Sequence, residues 1–185
     1  MRKILYTLLF LLFLSSPAFS QETRLTDLKV TRNSDDLYVS VRLELDQGMT
    51  RELRNGIEKK IIFYVDLFRA WYKWPDEFVL GKKVERDLKC DNVKGEYLVM
   101  ELGRGVPVTK RFENCEDLMG YALSVNNVRL VDTKELEHSR YIVKVTAESR
   151  LRNLPPLIGQ MFFFIKDLEF SVRTKSPDMR LGKGR

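Results

Sequence analysis

Residues Leu37 to Leu45 read LYVSVRLEL, and this stretch decides the fold. Leu37, Val39, Val41, Leu43 and Leu45 alternate with Tyr38, Ser40, Arg42 and Glu44. Successive side chains of a strand point to opposite faces, so the pattern predicts a strand with one buried face and one wet face. Upstream, Leu25, Leu28 and Val30 lead into the turn-forming run Asn33-Ser34-Asp35-Asp36, which makes the two segments an antiparallel hairpin. Downstream the period changes. Met49, Leu53 and Ile57 are four apart and predict one side of a short helix over 47–57, with Gly56 placed to end it in the left-handed conformation.

Strand chemistry then returns. Ile61, Phe63, Val65 and Leu67 share one face, while Ile62, Tyr64 and Phe68 make the other face apolar too. A strand of that kind is expected in the middle of a sheet or covered on both sides. The segments 78–90 and 97–102 form the next antiparallel pair, turning near Asn92 and Gly95, and 106–112 is a further strand. Asn114, with Asp117 three residues on, predicts the start of a second helix whose apolar stripe is Cys115, Leu118, Met119 and Ala122. Strands follow at 125–131 and 141–147, the latter with Tyr141, Val143, Val145 and Ala147 on one side. Leu168, Phe170 and Val172 mark the last. The expected class is mainly β (α+β): an antiparallel β-sandwich or curved sheet with two or three short helices.

The N-terminal segment sets the expected location. Arg2 and Lys3 precede the uncharged run 4–14, and Ser15, Ser16, Pro17, Ala18, Phe19 and Ser20 close it. That order is a secretory signal peptide, 1–20, cleaved between Ser20 and Gln21. Its apolar run is shorter than the roughly 20 residues that span a bilayer, and Pro17 breaks any longer helix. The product is expected to be soluble, in a periplasm or outside the cell: a single β-rich domain, 21–174, and a flexible basic tail, 175–185, containing Pro177, Gly182 and Gly184. The formal charge of +6 falls to +4 without Arg2 and Lys3. So modest a balance hints at anionic partners or simply serves solubility, and it does not point to a nucleic-acid partner.

Catalytic chemistry finds little support. His138 is the single histidine, in the charged connection Glu135-Leu136-Glu137-His138-Ser139, where an exposed loop position is expected. A histidine-rich metal site is excluded, and the chain has no Gly-x-Ser-x-Gly elbow, phosphate-binding glycine loop or Cys-x-x-Cys. Gly103-Arg104-Gly105 reads as a turn. Asp35-Asp36 suits a turn and Glu116-Asp117 a helix N-terminus, so neither pair argues for acid–base work. No cofactor and no catalytic residue is expected.

Two stretches offer binding chemistry. Trp71, Tyr72 and Trp74, flanked by Arg69 and Lys73, form a candidate aromatic platform for a glycan, a peptide or a lipid edge. Period two puts Trp71 and Lys73 on one side and Tyr72 and Trp74 on the other, so one side at least is expected to bear on the core; the alternative is rings that close the end of a sheet. The run Leu157 to Ile165, with Arg150, Arg152 and Lys166 at its ends, fits either peripheral contact with an anionic membrane or a buried covering element. Cys90 falls in step with Val84 and Leu88, and Cys115 with the second helix's stripe. In an oxidising compartment two such inward thiols are expected to pair, the alternative being separate buried thiols.

The order of motifs carries a resemblance. Gly56-Ile57 ends a helix, a long strand leads to Arg69, Trp71 and Trp74-Pro75-Asp76, and a strand pair ends in Tyr97-x-Val99. Then come the acidic-capped helix and Tyr141-x-Val143 running to Leu154-Pro155-Pro156-Leu157. Over about 25–173 this resembles the bacterial exported proteins grouped as domain of unknown function 4390, with Phe170 where the family pattern has a tryptophan and Cys90 where it has an aromatic residue. The resemblance implies an exported, mainly β protein without an assigned activity. Three functions follow in order: a non-enzymatic envelope domain that binds or organises another protein, a carrier or sensor for an apolar ligand or lipid, and last a hydrolase using paired carboxylates.

Overall fold

A computed structural model describes residues 22–102, 106–151 and 168–182. Strand β1 (Arg24–Asn33) turns through Ser34, at φ 55°, into β2 (Asp36–Glu44), in the register Asn33↔Asp36. Asp46 caps helix α1 (Gln47–Arg54) by accepting the Met49 N–H at 2.8 Å. The helix ends earlier than its pattern predicts, because Gly56 takes φ +88° and diverts the chain. Leu53 is therefore buried, Met49 half-buried, and Ile57 lies beyond the helix and is exposed.

Next come β3 (Lys59–Arg69), β4 (Glu77–Asp91), β5 (Glu96–Leu102) and β6 (Val108–Phe112). Helix α2 (Cys115–Ala122), capped by Asn114 accepting the Asp117 N–H at 2.8 Å, leads to β7 (Ser124–Asp132). After a 3-10 turn (Thr133–Glu135) follow β8 (Ser139–Leu151), β9 (Leu168–Lys175) and β10 (Met179–Leu181).

The strands form two antiparallel sheets. One has the order β1-β2-β7; the other runs β10-β8-β3-β4-β5-β6, with β9 also on β8. Strands β9 and β10 follow each other along one edge of β8, and Ser176 joins them by donating its N–H to the Val143 carbonyl (2.9 Å) and accepting the Val143 N–H on Oγ (3.0 Å). The inward rows Leu37–Leu45, Ile61–Leu67 and Tyr141–Ala147 belong to one buried cluster shared by both sheets, a sandwich-like arrangement with α1 and α2 against its ends. Strand β3, apolar on both faces, is flanked by β4 and β8 as its composition predicts. Cys90 and Cys115 are joined in a disulfide that ties α2 to β4, their Cα atoms 5.6 Å apart.

The expected flexible tail needs correction. Lys175 closes β9, Met179–Leu181 pair with Ser139–Tyr141 as β10, and Ser176 and Leu181 are buried. Charge and glycine content hid the alternation Met179-Arg180-Leu181, which supplies a short edge strand. The signal segment with its Ser20–Gln21 cleavage, Gly103-Arg104-Gly105, Leu154-Pro155-Pro156 and the Leu157–Ile165 run lie outside the described residues. Among the described residues no helix is long and apolar enough to cross a membrane.

Candidate functional site

Strand β3 stops at Arg69, and the chain crosses an irregular segment before β4. On that segment Trp71, Tyr72 and Trp74 are 46%, 86% and 75% exposed, and Phe78 at the start of β4 is 58% exposed. No side of the run bears on the core. The period-two argument fails here because it requires a strand, and the strand has already ended. The rings instead form an exposed aromatic end to the larger sheet.

Arg69 organises this end from behind. Its guanidinium lies 5.7 Å from the Trp71 ring centre, within cation–π range, and contacts Glu77 at 3.5 Å and Glu137 at 3.1 Å. The Trp71 indole N–H donates to Glu77 Oε2 at 3.3 Å, so the ring has a set orientation while staying partly exposed.

Beside the rings is a groove of about 410 Å³. Ala70, Trp71 and Tyr72 line one side, and His138, Ser139, Arg140 and Arg180 the other. Arg140 and Arg180 are directly opposite in the β8–β10 register, an arrangement that like charges disfavour. Asp178 is 3.8 Å from Arg140, and among the described residues Arg180 has no ion-pair partner. Gly182 makes the groove's closure feasible. It takes φ +94°, and a Cβ there would fall 2.2 Å from the Glu137 carbonyl oxygen, so only glycine lets the chain lie against Glu137 and His138. Tyr141 secures the same turn from below, donating its hydroxyl to the Glu137 carbonyl at 2.9 Å.

His138 is exposed, as its loop setting predicts, but it stands in the wall of this groove rather than apart from it. Trp71 and Tyr72 join it there, whereas Trp74 is not among the lining residues. Arg140, Arg180 and Gly182 were not legible as site residues. They are far from Trp71 in the chain, and their meeting depends on a strand that composition concealed.

Two further charged groupings among the described residues involve Lys59 and Asp66. Lys59, 1% exposed, is bonded to Glu52 at 2.6 Å and to Glu169, and Glu169 also accepts the Ser149 hydroxyl at 2.6 Å. Burial lowers the Lys59 pKa, but hydrogen bonds and attraction from the two carboxylates outweigh it and leave a net rise. The ammonium therefore stays protonated, the wrong state for a base acting on Ser149. Asp66 is pushed up by burial, and among the described residues it is the one carboxylate lining its groove, where a two-carboxylate hydrolase uses a second. Among the described residues no group of three or more His, Cys, Asp or Glu side chains is placed to hold a metal ion.

The sequence matches the family described as Domain of unknown function (DUF4390) over residues 20–177. The chain belongs to this family. No curated protein and no solved structure matches it.

Proposed function

We propose that this chain is a non-catalytic protein of the bacterial envelope, exported by its leader, that binds another envelope protein through its aromatic end. The observation that carries the reading is the exposure of Trp71, Tyr72, Trp74 and Phe78 around one sheet end while the core rows are filled. Large exposed aromatic clusters on a folded chain mark recognition surfaces, and Trp, Tyr and Arg dominate the energetics of protein interfaces. Exposed Lys73 and Arg180, which have no ion-pair partner among the described residues, lie beside the rings and favour an acidic partner surface. The disulfide and the basic–apolar–small order of residues 1–20 support an oxidising location.

An apolar-ligand carrier has less support. It requires an enclosed apolar cavity, and the described grooves of about 320–550 Å³ are open and carry charged or polar side chains. The test is a photo-crosslinking residue in place of Tyr72 in growing cells. One discrete protein adduct is expected, lost when Trp71→Ala and Trp74→Ala are combined. Absence of any adduct, or one indifferent to those changes, overturns the reading. The chain's two tryptophans, Trp71 and Trp74, both lie at this end, so a blue shift of tryptophan emission on adding the captured partner gives a second readout.

A further inference from the structure

The outer face of the larger sheet, turned away from the core, holds a second groove of about 550 Å³. It adjoins the aromatic end, since Lys144 pairs with Asp76 and Phe68 packs edge-on against Phe78, but it shares no lining residue with the groove beside Trp71. Asp66 on β3 stands opposite Lys144 on β8, Lys144 opposite Lys175 on β9, and Thr146 opposite Arg173 one rung further. All five line the groove, with Phe68 beside them.

Charge placement sets this groove apart from the stretch of the same face toward Lys60 and Arg150. On that stretch the charges are matched: Lys60 with Glu85 at 2.8 Å and Asp87 at 3.7 Å, Lys83 with Glu85, and Arg150 with Glu148 at 3.2 Å. In the groove three cations converge and the matching stops. Lys144 is drawn to Asp76 at 2.8 Å and lies 4.2 Å from the Phe68 ring centre, leaving Asp66 without it. Among the described residues the side chains of Arg173, Lys175 and Asp66 have no hydrogen-bond or ion-pair partner. Like charges opposed across a ladder destabilise it, so Lys144, Arg173 and Lys175 together are best satisfied by an anion held between them.

The other lining groups narrow the class. Asp66 presses against Gly81, where a Cβ would stand 2.2 Å from its Oδ1, and its partly desolvated carboxylate is placed to accept a hydrogen bond from a ligand hydroxyl. The Thr146 hydroxyl can donate or accept, and the Phe68 ring offers a face to C–H groups. A groove of this volume matches a small-molecule site. We infer that this face binds a phosphorylated polyol, its phosphate on Arg173, Lys175 and Lys144 and its hydroxyls on Asp66 and Thr146.

Calorimetric titration of the purified protein with glucose 6-phosphate, inorganic phosphate and glucose tests the site, and flotation with phosphatidylglycerol or phosphatidylcholine vesicles separates a lipid headgroup from a free ligand. Glucose 6-phosphate or phosphatidylglycerol is expected to bind at least tenfold more tightly than inorganic phosphate, with at least a tenfold loss in Arg173→Gln. Asp66→Asn is expected to weaken the polyol phosphate and leave inorganic phosphate unchanged. Arg173 is exposed, so its variant should keep the parent's unfolding midpoint, which identifies any loss as one of binding. No binding of either polyol phosphate, equal affinity for inorganic phosphate, or binding indifferent to Arg173→Gln overturns the inference.

Discussion

Arg86 lies on the inner face of β4, 6% exposed, and its guanidinium serves the end of α2. Nη1 donates to the carbonyls of Tyr121 (2.9 Å), Ala122 (3.2 Å) and Ser124 (2.7 Å), and Nε to Glu101 (3.0 Å), which also accepts the Tyr121 hydroxyl at 2.8 Å. Carbonyls at a helix C-terminus have no partner within the helix, so one side chain here satisfies groups that would otherwise be buried unpaired. Arg86→Ala is expected to cost about 3 kcal/mol in urea unfolding, and Arg86→Lys should recover little, since a point charge cannot reproduce the fork of donors. A loss no greater than that of an exposed-pair variant such as Lys89→Ala would refute this role. Asp66 works in the opposite sense. Burial raises its folded pKa above the ordinary carboxylate value, so it detracts from stability as pH rises through the interval between those two values. Asp66→Asn should therefore raise the unfolding midpoint at neutral pH and lose that advantage near about pH 3. An equal midpoint difference at both pH values counts against the assignment. A residue kept charged and unpaired against stability is consistent with a site for ligand.

Elements were legible where a period persisted. The alternation in Leu37–Leu45 and Tyr141–Ala147 puts every predicted inward side chain of both rows in the core, because one register satisfies all of them. Helix α1 was legible except at its end, where the conformation of Gly56 decides and Ile57 follows the turn. Strand β10 was not, since three residues are too short for a period to declare itself. Its importance is greatest at Gly182, whose φ of +94° and close approach to Glu137 hold the His138 wall of the groove. Gly182→Ala is expected to cost about 1–3 kcal/mol from backbone strain alone, with the clash at the Glu137 carbonyl adding to it. Faster amide exchange at Ser139–Tyr141 should accompany the loss. Unchanged exchange there would mean that β10 does not hold the turn.

At the scale of the whole molecule, the sandwich follows from faces that each strand states locally, whereas the aromatic groove assembles Trp71, His138 and Arg180 from three separate elements. Local patterns carry the first kind of information and cannot carry the second. The disulfide stands between the two: its thiols were each legible as inward, and their pairing follows from the packing of α2 against β4. Closing 25 residues of chain in this way should stabilise by about 3 kcal/mol, chiefly by restricting the unfolded state. The bond also links fold to compartment, since a reducing cytosol would leave the thiols free and the fold weaker by that amount. Expression of the full chain with its leader should therefore give a product that begins at Gln21 and takes up no alkylating reagent until it is reduced. The same domain made without the leader in a reducing cytosol should take up two equivalents when denatured, and its unfolding midpoint should rise on oxidation. Two free thiols in the exported product would overturn the pairing, and a product still beginning at Met1 would overturn the export signal.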